Sequence, residues 1–168
     1  MATRYGLQRW HPEFFEKHEA FTVFDLLMDY IRSGRITLDK NRITQRTAYH
    51  DPCNYGRKSQ EMFGHAYYHE PRWILNRCVS DWVDLEPCRT GQYCCGGGGG
   101  LMLTSYDKQR QYYSRRKMEQ IKNSRAQLVV VPCHSCHGQI RAMAGQYGLP
   151  DLEVKYLWEV VAEALVVE

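Results

Sequence analysis

Two adjacent cysteines, Cys94 and Cys95, run directly into five glycines, Gly96 to Gly100. Neighbouring side chains on an extended backbone point in opposite directions, so both sulfurs can reach one object only where the backbone is irregular. Glycine has no Cβ, and it therefore allows positive φ and a close approach of the main chain to a bulky group, at a cost in entropy. We expect this loop to lie against a metal ion or an iron-sulfur cluster that is bound by thiolates.

Three further cysteines extend this pattern. Cys53 lies 40 residues before the pair, and Cys133 and Cys136 follow 37 residues after it, which gives C-x(40)-C-C-x(37)-C-x-x-C. The local sequences are His50-Asp51-Pro52-Cys53, the Cys-Cys-Gly run, and Val129-Val130-Val131-Pro132-Cys133. From about residue 20 to residue 166 the chain resembles the CCG domain, the cysteine-rich module of heterodisulfide reductase catalytic subunits. Its glycine-rich loop is most similar to that of the subunit in the membrane complex associated with dissimilatory sulfite reduction.

This resemblance implies an oxidoreductase subunit with a non-cubane [4Fe-4S] cluster, which would exchange electrons with a disulfide or thiol substrate. The resemblance implies the following ligands: Cys53, Cys94, Cys95, Cys133 and Cys136. The resemblance implies no catalytic residue, because the chemistry would take place at the cluster itself. Relatives usually carry two CCG halves, often with a ferredoxin-like segment, whereas this sequence has one set of five cysteines. We therefore expect partner subunits in a redox complex, including a second CCG half or a ferredoxin-like subunit.

Other functions remain open from the sequence. Some relatives relay electrons in quinone-linked dehydrogenases that oxidise lactate or glycerol-3-phosphate. A zinc-binding structural module is a further alternative, since C-x-x-C pairs commonly supply half of a four-thiolate zinc site. Cys133 to His137 also reads C-x-x-C-H, the attachment sequence for c-type haem. Haem attachment normally needs export, and no secretory signal is visible at the start of the chain.

Composition limits the class of protein. The 168 residues carry a net charge of +3 and are 43% hydrophobic, which indicates one folded domain and argues against nucleic acid as a partner. No apolar run approaches the roughly 20 residues needed to cross a bilayer, so we expect any membrane link to pass through partners. We expect a cytoplasmic location, where seven cysteines favour metal or redox chemistry over structural disulfides.

The hydrophobic pattern predicts alternating strands and helices, which is typical of an α/β fold with a small, mainly parallel sheet flanked by helices. Ligands of such sheets bind outside the carboxyl ends of the strands, where we expect the cysteines to cluster. Residues 1–20 show no clear period and are expected to form an irregular N-terminal arm, followed by a single CCG-type domain over residues 21–168. The predicted strands are 43–50, 83–86, 128–131 and 154–157, and the predicted helices are 22–33, one from Pro71, 105–125, 133–147 and 157–165.

The sequence also supports predictions for individual cysteines and for one helix. Pro52 is compatible with a first helical turn, which predicts Cys53 near a helix N-terminus that favours its thiolate. Cys78 lies on an apolar helix face and is expected to pack in the core. Cys88 is either a reserve thiol near the cluster or a plain loop cysteine. The basic helix over 105–125 is expected to be a solvated face, with an acidic docking surface as the alternative.

Overall fold

The computed structural model of the protein describes residues 2–18, 20–98 and 100–167. Its four strands form one sheet in the order β2-β1-β3-β4, and every neighbouring pair is parallel. The strands are β1 (Thr47–Tyr49), β2 (Trp82–Asp84), β3 (Leu128–Val131) and β4 (Glu153–Tyr156). The predicted α/β fold with a small parallel sheet is confirmed.

Helices cover both faces of this sheet. They are α1 (Ala2–Trp10), α2 (Pro12–Lys17), α3 (Val23–Arg32), α4 (Ser59–Phe63), α5 (His69–Cys78), α6 (Asp107–Ser124), α7 (His134–Ala144) and α8 (Leu157–Ala164). Leu128 and Val130 pack with α3, α5 and α8, whereas Val129 and Val131 pack with α6 and α7. Because successive strand residues point to opposite faces, β3 needs apolar side chains at every position. Its continuous run of Leu and Val meets that need.

Helix α3 follows its predicted cap. Asp25 accepts a 2.8 Å hydrogen bond from the main-chain N–H of Thr22, and Thr22 Oγ1 accepts a 3.3 Å bond from the N–H of Asp25. This reciprocal pair satisfies two main-chain N–H groups at the start of the helix. Phe24 and Met28 then lie on its buried face, as the helical spacing predicts.

Two expectations about local structure are wrong. Residues 1–20 are not an irregular arm, because α1 and α2 form there within the described residues. Pro12 occupies the first turn of α2, which suits its fixed φ, but α2 buries no residue and so leaves no apolar stripe in the sequence. The strand predicted over 43–50 is confined to Thr47–Tyr49. The domain boundary at residue 20 stays a prediction.

The start of α6 also differs from expectation. We expected Thr104 or Ser105 to cap this helix, but it begins at Asp107 and its N-cap residue, Tyr106, makes no side-chain cap. Thr104 Oγ1 instead donates a 2.7 Å hydrogen bond to the main-chain oxygen of Leu101. Within the described ranges, no helix combines the length and apolar character that crossing a membrane requires.

Candidate metal centre

The sheet brings distant cysteines to one edge. Cys53 follows the carboxyl end of β1, and Cys133 follows the carboxyl end of its neighbour β3. Carboxyl ends of parallel strands meet at the same edge of a sheet, where open α/β folds bind ligands. Cys136 lies in the first turn of α7, and the Cys94-Cys95 loop comes to the same place after β2.

All five sequence-predicted sulfurs meet there, and we call this set the five-thiol site. Cys95 Sγ lies 3.3 Å from Cys136 Sγ. The thiols of Cys53 and Cys94, of Cys94 and Cys95, and of Cys133 and Cys136 also lie near enough to shift one another's pKa. The contacts form a continuous series in the order Cys53, Cys94, Cys95, Cys136, Cys133. All seven cysteines of the chain are free thiols.

The five-thiol site has a closed end and an open end. Cys95 and Cys136 are each 3% exposed, so they form its floor. Cys94 is exposed, and Cys53 and Cys133 are partly exposed. A group held by the five sulfurs would therefore be anchored in the protein and would still be reachable from solvent on the side of Cys94.

The glycines shape the loop in the way that the sequence predicts. Gly96 has φ +87°, and a Cβ there would lie 2.7 Å from Ser114 Oγ. A Cβ on Gly97 would lie 2.6 Å from Gln139 Cβ. The N–H groups of Gly96 and Gly97 donate to Cys94 Sγ at 3.3 Å and to Cys95 Sγ at 3.5 Å. Main-chain donors of this kind stabilise thiolates. Gly99 lies outside the described residues.

Hydrogen bonding divides the thiols into two kinds. The pKa of Cys94 is lowered because the thiols of Cys53 and Cys95 hydrogen-bond to it, with help from the Gly96 N–H. The pKa of Cys133 falls to about 6, chiefly through a hydrogen bond from the Cys136 thiol and further bonds from main-chain N–H groups. Thiolate character therefore lies at the open end of the site.

The remaining thiols are held in their protonated form. The pKa of Cys53 is raised by its hydrogen bond to Cys94 and by burial. The hydrogen bond from Cys136 lowers the pKa of Cys95, but the contact with Cys94 and burial outweigh it and bring the value to about 12. We expected the helix N-terminus to favour the Cys53 thiolate, and this is wrong, because the contact with the more acidic Cys94 and burial favour the thiol.

His50 joins the floor of the site. Its side chain is 1% exposed, and neither ring nitrogen has a hydrogen-bond partner in the described part of the chain. A ring nitrogen of His50, Cys95 Sγ and Cys136 Sγ all lie within 4.8 Å of one another. Burial lowers the pKa of His50, so its ring is neutral and retains a nitrogen lone pair. The sequence analysis did not assign this residue, although its place between β1 and Cys53 could have indicated it.

A buried ion network fixes the chain just before Cys53. Arg72 donates to both oxygens of Asp51, at 2.8 and 2.7 Å, and also contacts Asp84 at 2.6 Å. The N–H of Arg89 adds a 2.7 Å bond to Asp51. Arg72 and Asp51 are both buried. The network ties helix α5 to the ends of β1 and β2 and so sets the position from which Cys53 enters the site.

The two remaining cysteines lie elsewhere. Cys78 is fully buried on α5 and packs in the core, as predicted. Cys88 Sγ lies 3.2 Å from Glu86 Oε1 and close to the carboxylates of Asp51 and Asp84. Those two carboxylates are already paired with Arg72, so the three residues do not form a free metal-binding set. The structure therefore places Cys88 with the ion network rather than with the five sulfurs.

Lys117 departs from the expected solvated face of α6. The other basic residues of this helix are exposed or partly exposed, but Lys117 is only 1% exposed. Burial lowers its pKa to about 8, while Asp51 and the thiols of Cys95, Cys136 and Cys94 act in the opposite direction. Its ammonium group thus lies in the electrostatic reach of the five-thiol site.

The donor set suits a soft metal. Thiolates select zinc, Cu(I) and iron-sulfur clusters over magnesium or calcium, and N–H groups that point at the sulfurs suit a thiolate-bound centre. Five sulfurs with one buried imidazole exceed the four ligands that a structural zinc ion requires. The residues present therefore fit an iron-sulfur cluster.

Comparison with known proteins agrees with this geometry. The family model described as CCG, cysteine-rich domain, matches residues 47–141, which is more than half of the chain. The chain belongs to the CCG family of cysteine-rich domains. The match begins at β1 and ends within α7, so it contains the five cysteines of the site.

One relative is similar to this CCG domain over most of its length. A "Probable membrane-anchored ferredoxin" of Chromohalobacter salexigens is 33% identical over 135 residues, which cover 80% of this chain and 19% of that protein. The chain thus corresponds to about a fifth of the relative's length. No solved structure matches the chain significantly.

Proposed function

We propose that this CCG domain is an iron-sulfur electron-transfer module whose five-thiol site holds a non-cubane [4Fe-4S] cluster and exchanges electrons with a disulfide or thiol substrate. The observation that carries the proposal is the convergence of five sulfurs from three separate segments at one edge of the sheet. Family membership and the similarity to a probable membrane-anchored ferredoxin support it.

The proposed ligands are Cys53, Cys94, Cys95, Cys133 and Cys136. When bound, such a cluster supplies one-electron redox chemistry at iron ligated by thiolates. The buried pair Cys95 and Cys136 would anchor it, and the exposed Cys94 marks the side from which a substrate can approach. Reduction of a disulfide breaks one S–S bond, consumes two electrons and two protons, and releases two thiols. The electrons come from another redox centre, since the described residues offer one five-thiol site.

The proposal includes partners. The relative is about five times as long as the segment that matches it, so in that protein the CCG domain works beside other parts of the chain. We infer that a second CCG half or a ferredoxin-like subunit completes the open side of the site here. We also infer a cytoplasmic location with access to the membrane through partners, which the free thiols and the reducing chemistry support.

Two other functions have specific support. The relative's description as a ferredoxin favours a simple electron relay with no sulfur substrate, as in a quinone-linked dehydrogenase. The close grouping of His50, Cys95 and Cys136 favours a mononuclear zinc site with nitrogen and sulfur ligands. An electron relay would hold the cluster but act on no sulfur substrate. A zinc site would carry out no redox chemistry.

Metal analysis of anaerobically purified protein separates these functions. We expect about four irons and four sulfides per chain, with an EPR signal in one redox state. Stoichiometric zinc without iron, after anaerobic reconstitution, would contradict the proposal and support the zinc site.

Single serine substitutions test the ligands. We expect Cys53→Ser and Cys94→Ser to lower iron content or change the EPR signal, and we expect the same of the equivalent changes at Cys95, Cys133 and Cys136. Cys78→Ser and Cys88→Ser are the controls, since neither sulfur lies in the five-thiol site. Iron loss in both controls with retention in Cys53→Ser would show that the ligand assignment is wrong.

A substrate assay tests the finer part of the proposal. The isolated chain with an artificial electron donor should reduce a disulfide slowly, and candidate partner subunits should raise the rate. Full turnover without any partner would contradict the inference that a second half completes the site. A protein that holds iron and exchanges electrons but reduces no disulfide in any combination would favour the electron relay.

A further inference from the structure

A lysine is buried beside the five-thiol site. Lys117 lies on α6, an 18-residue helix whose other basic residues are mostly in solvent, yet its own side chain is 1% exposed. Lysine is almost never fully buried unless it is paired, because an isolated ammonium group in a low-dielectric interior is very costly. Its position therefore calls for an anionic neighbour.

The carboxylates do not supply that neighbour. Within the described residues, no carboxylate oxygen lies within 4.0 Å of the Lys117 ammonium group. Asp51 is its strongest acidic influence, but both Asp51 oxygens are already held by Arg72, and one of them also by the Arg89 N–H. The other groups that act on Lys117 are the sulfurs of Cys95, Cys136 and Cys94.

The helix is fixed against the thiol loop in a way that sets this position. Ser114, one turn before Lys117, donates a 2.8 Å hydrogen bond to the main-chain oxygen of Cys95. Gln139 of α7 donates a 2.7 Å bond to Ser114 Oγ, which ties α6 to the helix that carries Cys136. Met118 and Ile121 pack in the same core as Cys95 and Cys136. The face of α6 that carries Lys117 is therefore held to the floor of the site.

We propose that Lys117 is the fixed counter-charge of the metal centre in the five-thiol site. This inference rests on the proposed function. A centre bound by several thiolates carries net negative charge, and each electron that it accepts adds more. A cation held in a poorly screened interior stabilises the more negative, reduced form, so it raises the reduction potential. Lys117 touches no substrate in this scheme, and it acts on the metal centre only through its charge.

The test compares three variants of the full chain under anaerobic conditions. Lys117→Met removes the charge with little change in volume, and Lys117→Arg keeps the charge. Lys122→Met is the matched control, because Lys122 is an exposed lysine on the same helix. Each protein is assayed for iron and sulfide content, for thermal stability, and for reduction potential by an EPR-monitored redox titration.

We expect Lys117→Met to disfavour reduction by at least tenfold in the one-electron equilibrium constant, which is a fall of about 59 mV in potential. Lys117→Arg and Lys122→Met should stay near the wild-type potential. If Lys117→Met stays folded but loses iron while Lys117→Arg retains it, the charge is needed for binding, which also supports the proposal.

Two outcomes would overturn it. One is a Lys117→Met protein that holds the cluster at the wild-type potential. The other is loss of iron in both Lys117→Met and Lys117→Arg, because that result would assign the residue's role to its shape rather than its charge. Wild-type protein that binds no iron would instead contradict the proposed function itself, so the two failures are distinguishable.

Discussion

Ser114 Oγ donates a 2.8 Å hydrogen bond to the main-chain oxygen of Cys95, which joins a long polar helix to the floor of the five-thiol site. The same hydroxyl accepts a hydrogen bond from Gln139. Both contacts are buried, so one small side chain couples α6, α7 and the Cys-Cys-Gly loop. The Cys94-Cys95 loop is therefore held by contacts with α6 and α7 as well as by its own glycines.

Replacing this hydroxyl should loosen the site. In Ser114→Ala the Cys95 oxygen loses a buried hydrogen-bond partner and the Gln139 amide nitrogen keeps only its 3.5 Å bond to the Arg110 oxygen, which should cost about 1–3 kcal/mol in the free energy of unfolding. Urea denaturation of the metal-free protein measures this cost. Ser105→Ala is the control, because Ser105 is exposed, and it should leave stability nearly unchanged. Equal effects of the two substitutions would contradict the role given to Ser114.

The ion network before Cys53 should be a strong determinant of stability. Arg72→Met leaves the buried carboxylate of Asp51 without its bidentate partner, and breaking a buried pair in this way typically costs about 3–5 kcal/mol. We expect a large fall in the unfolding midpoint in urea, together with poorer iron binding, because Asp51 fixes the approach to Cys53.

An exposed ion pair on the surface serves as the control for the buried Arg72 network. Lys155 lies 3.0 Å from Glu153 and from Glu163, both of which are well exposed. Lys155→Met should therefore cost less than about 1 kcal/mol. A loss in Lys155→Met as large as that in Arg72→Met would mean that burial is not what makes the Arg72 network strong.

Much of the site could be predicted from the sequence, because the ends of buried strands are marked by recognisable residues. The short β-branched run Leu128–Val131 is typical of a strand buried on both faces, and Pro132 marks its end, so the place of Cys133 was predictable. The long gaps between the cysteines carry no such signal. Their convergence came from the family pattern rather than from periodicity.

The parts that the sequence could not indicate depend on contacts between distant segments. Helix α6 is so polar that no apolar stripe marks which face it buries. Lys117 reads in the sequence as an ordinary polar residue of a polar helix, and nothing there marks it as buried. Burial of a charged or titratable group is a property of the assembled fold, so local patterns do not predict it.

The thiols with a lowered pKa should be detectable by alkylation of the metal-free protein. Thiolates, not thiols, react with iodoacetamide, so reactivity follows the fraction that is ionised. The pKa of Cys133 is about 6, which makes it mostly thiolate at pH 7, and the exposed Cys94 also has a lowered pKa. We expect a short alkylation pulse at pH 7, read by peptide mass spectrometry, to label these two first. The labelling of Cys133 should fall as the pH drops through 6.

Cys88 is the internal reference for that experiment. It is partly exposed, but burial and the carboxylate of Glu86 raise its pKa to about 11. At pH 7 it should react far more slowly than Cys133 and gain reactivity only in alkaline buffer. Faster labelling of Cys88 than of Cys133 at pH 7 would show that the hydrogen bonds from Cys136 and the main chain do not stabilise a thiolate.

Two neighbouring glycines give a matched test of the loop. A Cβ on Gly97 would lie 2.6 Å from Gln139 Cβ, next to the backbone of α7, whereas a Cβ on Gly98 meets nothing within 4 Å. Relieving the first clash must move the loop away from α7, and Cys95 lies two residues before it. Gly97→Ala should therefore cost about 1–3 kcal/mol in unfolding free energy, as overpacking of a tight contact does, and should lower iron content. Gly98→Ala should fold and bind iron like the wild type. Equal iron content in both variants, measured after the same anaerobic reconstitution, would mean that close packing of the loop on α7 is not required to place the two cysteines.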